Sequence, residues 1–348
     1  MNLTITNQTC EDIVFNGHYL EKLYYNEHLV WEKQHAPVNP YASQYFTIES
    51  LEDNNSVTLA KSNSNAPTIN AYYSLDNGTT WTQHATSAEK TWVLNTGNKL
   101  LIKATTNAWE SSSGRNYFSS TKQFDVYGNT MSLLYGDNFV NQTTLNSDGR
   151  NLANLFYNAT KLKNAENLIL PATTLRNECY AHMFWGCTSL TTAPELPATT
   201  LADSCYFDMF LACTSLTKAP ALPATTVAPS CYEAMFYGCS SLVDVPDLPA
   251  TVLANTCYKD MFYECTSLTT APKLPAKTLA IYCYHYMFYR CISLNEVVCL
   301  ATNISASNCT TNWLYGVSST GTFVKDSSMS SWSSGSSGIP SGWTVQNN

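Results

Sequence analysis

Thirteen cysteines offer three chemistries to this 348-residue chain: disulfide cross-links, a metal centre or a nucleophilic thiolate. Most of them fall into two columns with a step of 26, Cys179, Cys205, Cys231, Cys257 and Cys283, then Cys187, Cys213, Cys239, Cys265 and Cys291. On one helix, Cys205 and Cys213 would stand about 12 Å apart, beyond the roughly 7 Å between Cα atoms that a disulfide spans. Pairing between neighbours would strand one thiol in each five-membered column. Neither Cys-x-x-Cys nor His-x-x-x-His occurs, so the spacing of a zinc site is missing. The expectation is buried, reduced, structural cysteine, with no metal and no cofactor.

Other catalytic arrangements are equally hard to find. His18, His28, His35, His84, His182 and His285 are scattered along the chain, and Gly-x-Ser-x-Gly and glycine-rich phosphate loops are absent. Two glycosidase carboxylates could still meet across distant turns, because their separation is spatial and not sequential. The chain is nevertheless read as a non-enzyme. Ser74-Leu75-Asp76-Asn77-Gly78-Thr79-Thr80-Trp81 matches the Asp-box Ser-x-Asp-x-Gly-x-x-Trp of sialidase propellers, and as a single copy it is expected to be a hairpin turn remote from any catalysis.

The elements that must position these residues follow from the same period. The unit Leu-Ala-x-x-Cys-Tyr-x-x-Met-Phe-x-x-Cys-Thr-Ser-Leu-x-x-Ala-Pro-x-Leu-Pro-Ala-Thr-Thr recurs five times from Leu175 to about Ala301, with Met-Phe pairs starting at Met183, Met209, Met235, Met261 and Met287. Repetition at such a period marks a stacked array. Cys205, Tyr206, Met209, Phe210 and Cys213 lie at i, i+1, i+4, i+5 and i+8, the buried stripe of a helix, with Asp203 or Ser204 placed to cap it. The proline-containing remainder reads as a short extended segment and a turn. One unit cannot recover its backbone ordering cost of about 1–2 kcal/mol per residue, so the units must share a core. Degenerate units at Leu155-Phe156-Tyr157 to Leu170-Pro171 and around Cys309, with Trp313 and Leu314, are expected as end caps.

The motif Met-Phe-x-x-Cys-x-Ser-Leu followed by Leu-Pro resembles the leucine-rich repeat family typified by large surface proteins of gut and oral Bacteroidales. Methionine stands here for that family's alanine, Ala-Pro (Ala193-Pro194, Ala219-Pro220, Ala271-Pro272) replaces its isoleucine region, and one residue is added before Leu-Pro. The resemblance covers roughly residues 150–348 and implies an α/β leucine-rich-repeat solenoid over 131–320 with an N-terminal cap. Residues 321–348, ending on Trp343 and Val345, are expected to close it as a C-terminal cap.

All-β modules are expected in front. Residues 1–35 alternate apolar and polar residues around Asn16-Gly17, a small hairpin module. Its Leu-Tyr-Tyr-Asn and Val-Trp phrases resemble front modules of phage head and tail appendage proteins, which implies docking to other virion proteins. The alternative is a leading strand pair of the next domain. Residues 36–130, entered through Ala36-Pro37-Val38-Asn39-Pro40, carry short alternating runs between Asn, Gly and Ser clusters, the pattern of an immunoglobulin-like β-sandwich.

Composition narrows the partners. Eighteen basic against 26 acidic residues, a net charge of −8, give no basic face for nucleic acid. No run of 18 apolar residues predicts membrane insertion. The opening Met1-Asn2-Leu3-Thr4-Ile5-Thr6 reads as no signal peptide, favouring assembly in a host cytoplasm. The expected function is a non-enzymatic phage virion protein, a tail fibre or head decoration, whose repeats bind a host cell-surface protein or glycan. A bacterial cell-surface adhesin and a purely architectural virion protein are the alternatives. A homotrimer follows only from resemblance to other appendages, since no heptad repeat is present.

Two columns are the candidate binding residues. Trp185, Leu211, Tyr237, Tyr263 and Tyr289 follow the Met-Phe pairs, and their rings would either stack on sugars or fill the groove between repeats. Thr192, Lys218, Asp244, Thr270 and Glu296, with Glu195, Asp247 and Lys273, change chemistry from unit to unit on the strand side, as a recognition face or a merely solvated one would.

Overall fold

The computed structural model describes the strands within residues 13–32 as backbone, and residues 39–348 apart from 86, 146–148 and 331. The chain divides into two compact units, Met1–Pro40 and Tyr41–Asn348. In the first, β1 (Ile13–Phe15) pairs antiparallel with β2 (His18–Leu20), and β3 (Lys22–Tyr25) with β4 (His28–Glu32). The Asn16-Gly17 turn and the side chains of the docking module expected at 1–35 lie outside the described residues.

The second unit opens with two antiparallel sheets. Strands β5 (Phe46–Ser50), β6 (Asn55–Lys61), β7 (Asn70–Ser74), β8 (Thr82–Ala85), β9 (Lys90–Leu94), β10 (Lys99–Ala104), β11 (Asn116–Ser120) and β12 (Phe124–Asn129) sort into the orders β12-β5-β10-β7-β8 and β11-β6-β9. Alternation explains the packing, as in β6, where Asn55, Val57 and Leu59 are buried while Ser56 and Thr58 are partly exposed. Rings join the two sheets, Phe46 with Phe118 at 5.4 Å and Tyr73 with Trp92 at 5.1 Å.

No break separates the sheets from the repeats. After a four-residue helix, α1 (Ser132–Tyr135), β12 also pairs in parallel with β13 (Leu162–Asn164) and β14 (Leu168–Ile169). At the far end, β15 (Glu296–Cys299), β16 (Gly321–Lys325) and β17 (Trp343–Asn347) form a parallel sheet. There Trp313 stacks on Trp332 at 5.7 Å and donates its indole N–H to the Gly338 carbonyl at 2.9 Å.

The expected α/β leucine-rich-repeat solenoid is not what the repeats build. Among the described residues α1 is the one α-helix, and the stripe read as helical is a ribbon of successive turns. In the second repeat, Ser204, Asp208 and Ala212 have φ of 54°, 54° and 58°, one left-handed residue in every four. The N–H groups of Cys205, Phe207, Met209, Leu211 and Cys213 reach back three residues to Ala202, Ser204, Tyr206, Asp208 and Phe210. Those of Ser204, Tyr206, Asp208, Phe210 and Ala212 instead donate to the carbonyls of Pro229, Cys231, Glu233, Met235 and Tyr237 in the next unit.

The physical reason is that a four-residue turn period buries i, i+1, i+4, i+5 and i+8 as well as a 3.6-residue helix does. A helix keeps every N–H for itself. The 26-residue step places a neighbour in register to accept alternate ones, which makes the ribbon possible. The strand half of the unit is reduced to isolated parallel bridges such as Lys218↔Asp244 and Thr270↔Glu296. Its prolines lack the N–H that a continuous ladder needs.

Side chains repeat along the stack as the backbone does. Phe156, Phe184, Phe210, Phe236, Phe262 and Phe288 are buried and stack at 5.2–5.6 Å between centroids. Phe118 of β11 lies 6.2 Å from Phe156, and Trp313 lies 6.4 Å from Phe288, so one aromatic spine runs from the sandwich to the last ribbon. Tyr180, Tyr206, Tyr232, Tyr258 and Tyr284 form a second buried column at 5.7–6.2 Å.

Candidate functional site

The described cysteines are free and buried in the stack. In the second column the thiol is a donor: Cys213 Sγ lies 3.1 Å from the Phe184 carbonyl, and Cys239 and Cys265 stand likewise on Phe210 and Phe236. This contact accounts for cysteine where alanine or valine would also fill space. Burial pushes the Cys239 thiol up to about 12, far from a reactive thiolate. Among the described residues no group of three His, Cys, Asp or Glu side chains is arranged to hold a metal ion.

The Asp-box segment is a turn locked by its own side chains. Gly78 N–H donates to Ser74 Oγ at 2.8 Å, Thr80 N–H to Asp76 Oδ1 at 2.9 Å, and Trp81 Nε1–H to the Gly78 carbonyl at 3.1 Å. The Thr80 hydroxyl and N–H hold the Asp76 carboxyl down to about 2. Lys103 lies over the Trp81 ring at 4.1 Å and pairs with Asp137 at 2.6 Å, tying this hairpin to the connection after α1.

The aromatic column is brought together, and its rings face one another. Tyr237 and Tyr263 are stacked at 4.3 Å and 5°, Tyr263 and Tyr289 at 4.7 Å and 12°, and Tyr289 continues onto Tyr315 at 4.9 Å. Trp185 stacks on Tyr157 at 4.6 Å, with Leu211 between the two groups. Tyr263 and Tyr289 therefore have a ring on each face, while Trp185 and Tyr237 each have one ring partner, on the side away from Leu211.

On the strand side, neighbours in the column satisfy each other. The Thr192 hydroxyl donates to Asn164 Oδ1, Lys218 pairs with Asp244 at 3.2 Å, and the Thr270 hydroxyl donates to Glu296 Oε2 at 3.5 Å. Lys273 N–H donates to Asp247 Oδ1 at 3.1 Å, while Glu195 is exposed.

Sequence reading missed two groups on the ribbon side. One is polar: Asp208 with His182 at 3.4 Å, and Lys259 with Glu233 at 2.7 Å and Asp260 at 3.5 Å. Burial raises the Asp260 carboxyl above its ordinary range, Lys259 opposes that, and Glu233 and Asp208 reinforce it. The other is aromatic: Tyr282 lies 5.1 Å from His285, His285 4.0 Å from Tyr286, and Tyr286 5.2 Å from Tyr289. The 26-residue step was the signal available for both, because His182, Asp208, Asp260 and Tyr286 stand in one column at that spacing.

No family model matches the chain, and no curated protein or solved structure is detectably similar to it. No helix among the described residues is long and apolar enough to cross a membrane.

Proposed function

We propose that this chain is a non-enzymatic virion appendage protein, a tail fibre or head decoration, whose repeat array engages the surface or glycans of a bacterial host. One observation carries the reading. The array holds its buried columns constant while its exposed positions change from unit to unit, as in Thr192, Lys218, Asp244, Thr270 and Glu296. Stacking turns such positions into a continuous face whose chemistry is free to vary without disturbing the core. The Leu-Tyr-Tyr-Asn and Val-Trp phrases of the N-terminal segment support the virion setting through their resemblance to appendage docking modules.

Immunogold electron microscopy with an antibody against the full chain tests this on purified phage particles and on uninfected cells. Label on particles, together with binding of the full chain to intact host cells, is expected. Label confined to uninfected cells would make the chain a bacterial surface adhesin and overturn the virion setting. Label on particles without cell binding would leave a purely architectural part.

A further inference from the structure

Left-handed backbone is the rule at three positions of every ribbon, and five of the six full ribbons fill them with small or polar residues. The sets are Glu178, His182 and Gly186; Ser204, Asp208 and Ala212; Ser230, Ala234 and Gly238; Thr256, Asp260 and Glu264; and Asn308, Asn312 and Gly316. The remaining ribbon carries Tyr282 at φ 56°, Tyr286 at 53° and Arg290 at 57°. Bulky and β-branched side chains are steric outliers there, as Thr256 is in its own ribbon and as Tyr282 and Tyr286 both are in this one. Stacking does not require the tyrosines, because the neighbouring ribbons make the same bonds without them. Strain that the fold does not demand marks a position kept for something else.

The rings show what that is. Tyr289 is covered on both faces, by Tyr263 and by Tyr315. Tyr286 stands at 77° to Tyr289 and at 89° to Tyr263, with centroids 5.2 and 6.5 Å away. Tyr286 therefore stands nearly perpendicular to the stacked rings and outside their column, with the His285 ring 4.0 Å away at 62°, and it remains partly exposed. Beside it stand Tyr282, His285 and Arg290, the last paired with Glu264 at 3.1 Å, so the surroundings offer hydroxyl, imidazole and guanidinium groups.

We propose that Tyr286 is the platform of a saccharide site, taking the apolar face of a neutral pyranose while Tyr282, His285, Tyr289 and Arg290 meet its hydroxyls. A flat aromatic face fringed by polar atoms suits a sugar, whose ring is apolar on one side and ringed by hydroxyls. The array's exposed large apolar residues, Val243, Val252, Ile281, Ile292 and Tyr315, sit in five different columns, so none repeats along the stack as an apolar stripe for a protein partner. The inference rests on the surface-binding reading above and moves it from the stacked column to one residue outside it.

The test exposes the full chain to immobilised neutral hexose and N-acetylhexosamine oligosaccharides beside sialylated and sulfated ones, with Tyr286→Gly, Tyr286→Ala and Tyr237→Ala as variants. Binding to neutral oligosaccharides is expected, at least tenfold weaker in both Tyr286 variants and little changed in Tyr237→Ala. Tyr286→Gly is further expected to melt no lower than the parent, since glycine relieves the left-handed strain. Undiminished sugar binding by the Tyr286 variants would overturn the site and leave the surface-binding reading standing. So would a chain that binds host cells but none of the neutral oligosaccharides. A chain that binds neither cells nor sugars overturns both.

Discussion

The sandwich of β5–β12 and the array that follows it satisfy their backbones in different directions. In the sandwich, hydrogen bonds run between strands whose hydrophobic faces meet across the core, and a residue such as Val57 depends on partners scattered through the sequence. In the array, alternate N–H groups run along the stack to the residue 25 positions on, and each buried side chain meets its own equivalents above and below. Repetition thus turns a contact into a column. Any unit that fits its neighbour fits all of them, at the cost of left-handed residues that a sandwich rarely needs.

That contrast can be broken most severely at the spine. Phe236→Ala removes a fully buried ring stacked on both faces and should cost about 3–5 kcal/mol, read by chemical denaturation. Hydrogen exchange should show the loss spreading through the ribbons on either side while β6 and β10 stay protected. Equal loss in the sandwich would mean that the shared β12–β13 sheet couples the two regions fully.

The thiol column comes next. Cys239→Ala leaves the Phe210 carbonyl without its sulfur donor and opens a small void, so a loss of about 2 kcal/mol is expected. The parent's described cysteines should react with a thiol reagent only at the rate of unfolding, and rapid labelling of the native chain would contradict their burial.

A gain is expected where backbone strain is relieved. Ala212 has φ 58° in a column where Gly186 and Gly238 already occupy neighbouring ribbons, so Ala212→Gly should stabilise by about 1 kcal/mol. A loss of stability, measured as a lower melting temperature, would show that the ribbon's turns are not left-handed in solution.

Acid titration separates the two regions most gently. Asp76 has its pKa held below the unfolded value, so its contribution is present above about pH 4 and is lost as pH falls toward 2. Asp260 is raised, so its ionised form is a liability in the folded array that disappears as the pH falls through its raised pKa. Asp76→Asn should lower the melting temperature at pH 7 and make little difference at pH 2. Asp260→Asn should raise it at pH 7, an advantage that vanishes in acid.

How far the fold was legible depends on what each residue's environment required. Cys205, Tyr206, Met209, Phe210 and Cys213 are fully or almost fully buried, and their spacing alone places them on one face. Their backbone was not legible, because a four-residue turn and a helix bury the same positions over nine residues. The Asp-box segment was readable as a turn from Gly78 and the short polar side chains around it. Trp185, Tyr237, Tyr263 and Tyr289 were readable as a column and not as a stack, since ring orientation depends on the neighbouring unit.

The sequence by itself determined the register of this protein: the 26-residue step and which side chains are inside. Those properties are local, set by hydrophobic spacing and by repetition. Only the tertiary structure decided where each N–H is satisfied, and with it the choice of ribbon over helix. It also decided that Tyr263 and Tyr289 are stacked on both faces and that Tyr286 stands nearly perpendicular to them. Each of those outcomes depends on a neighbour more than twenty residues away, and no window of sequence shorter than a repeat contains it.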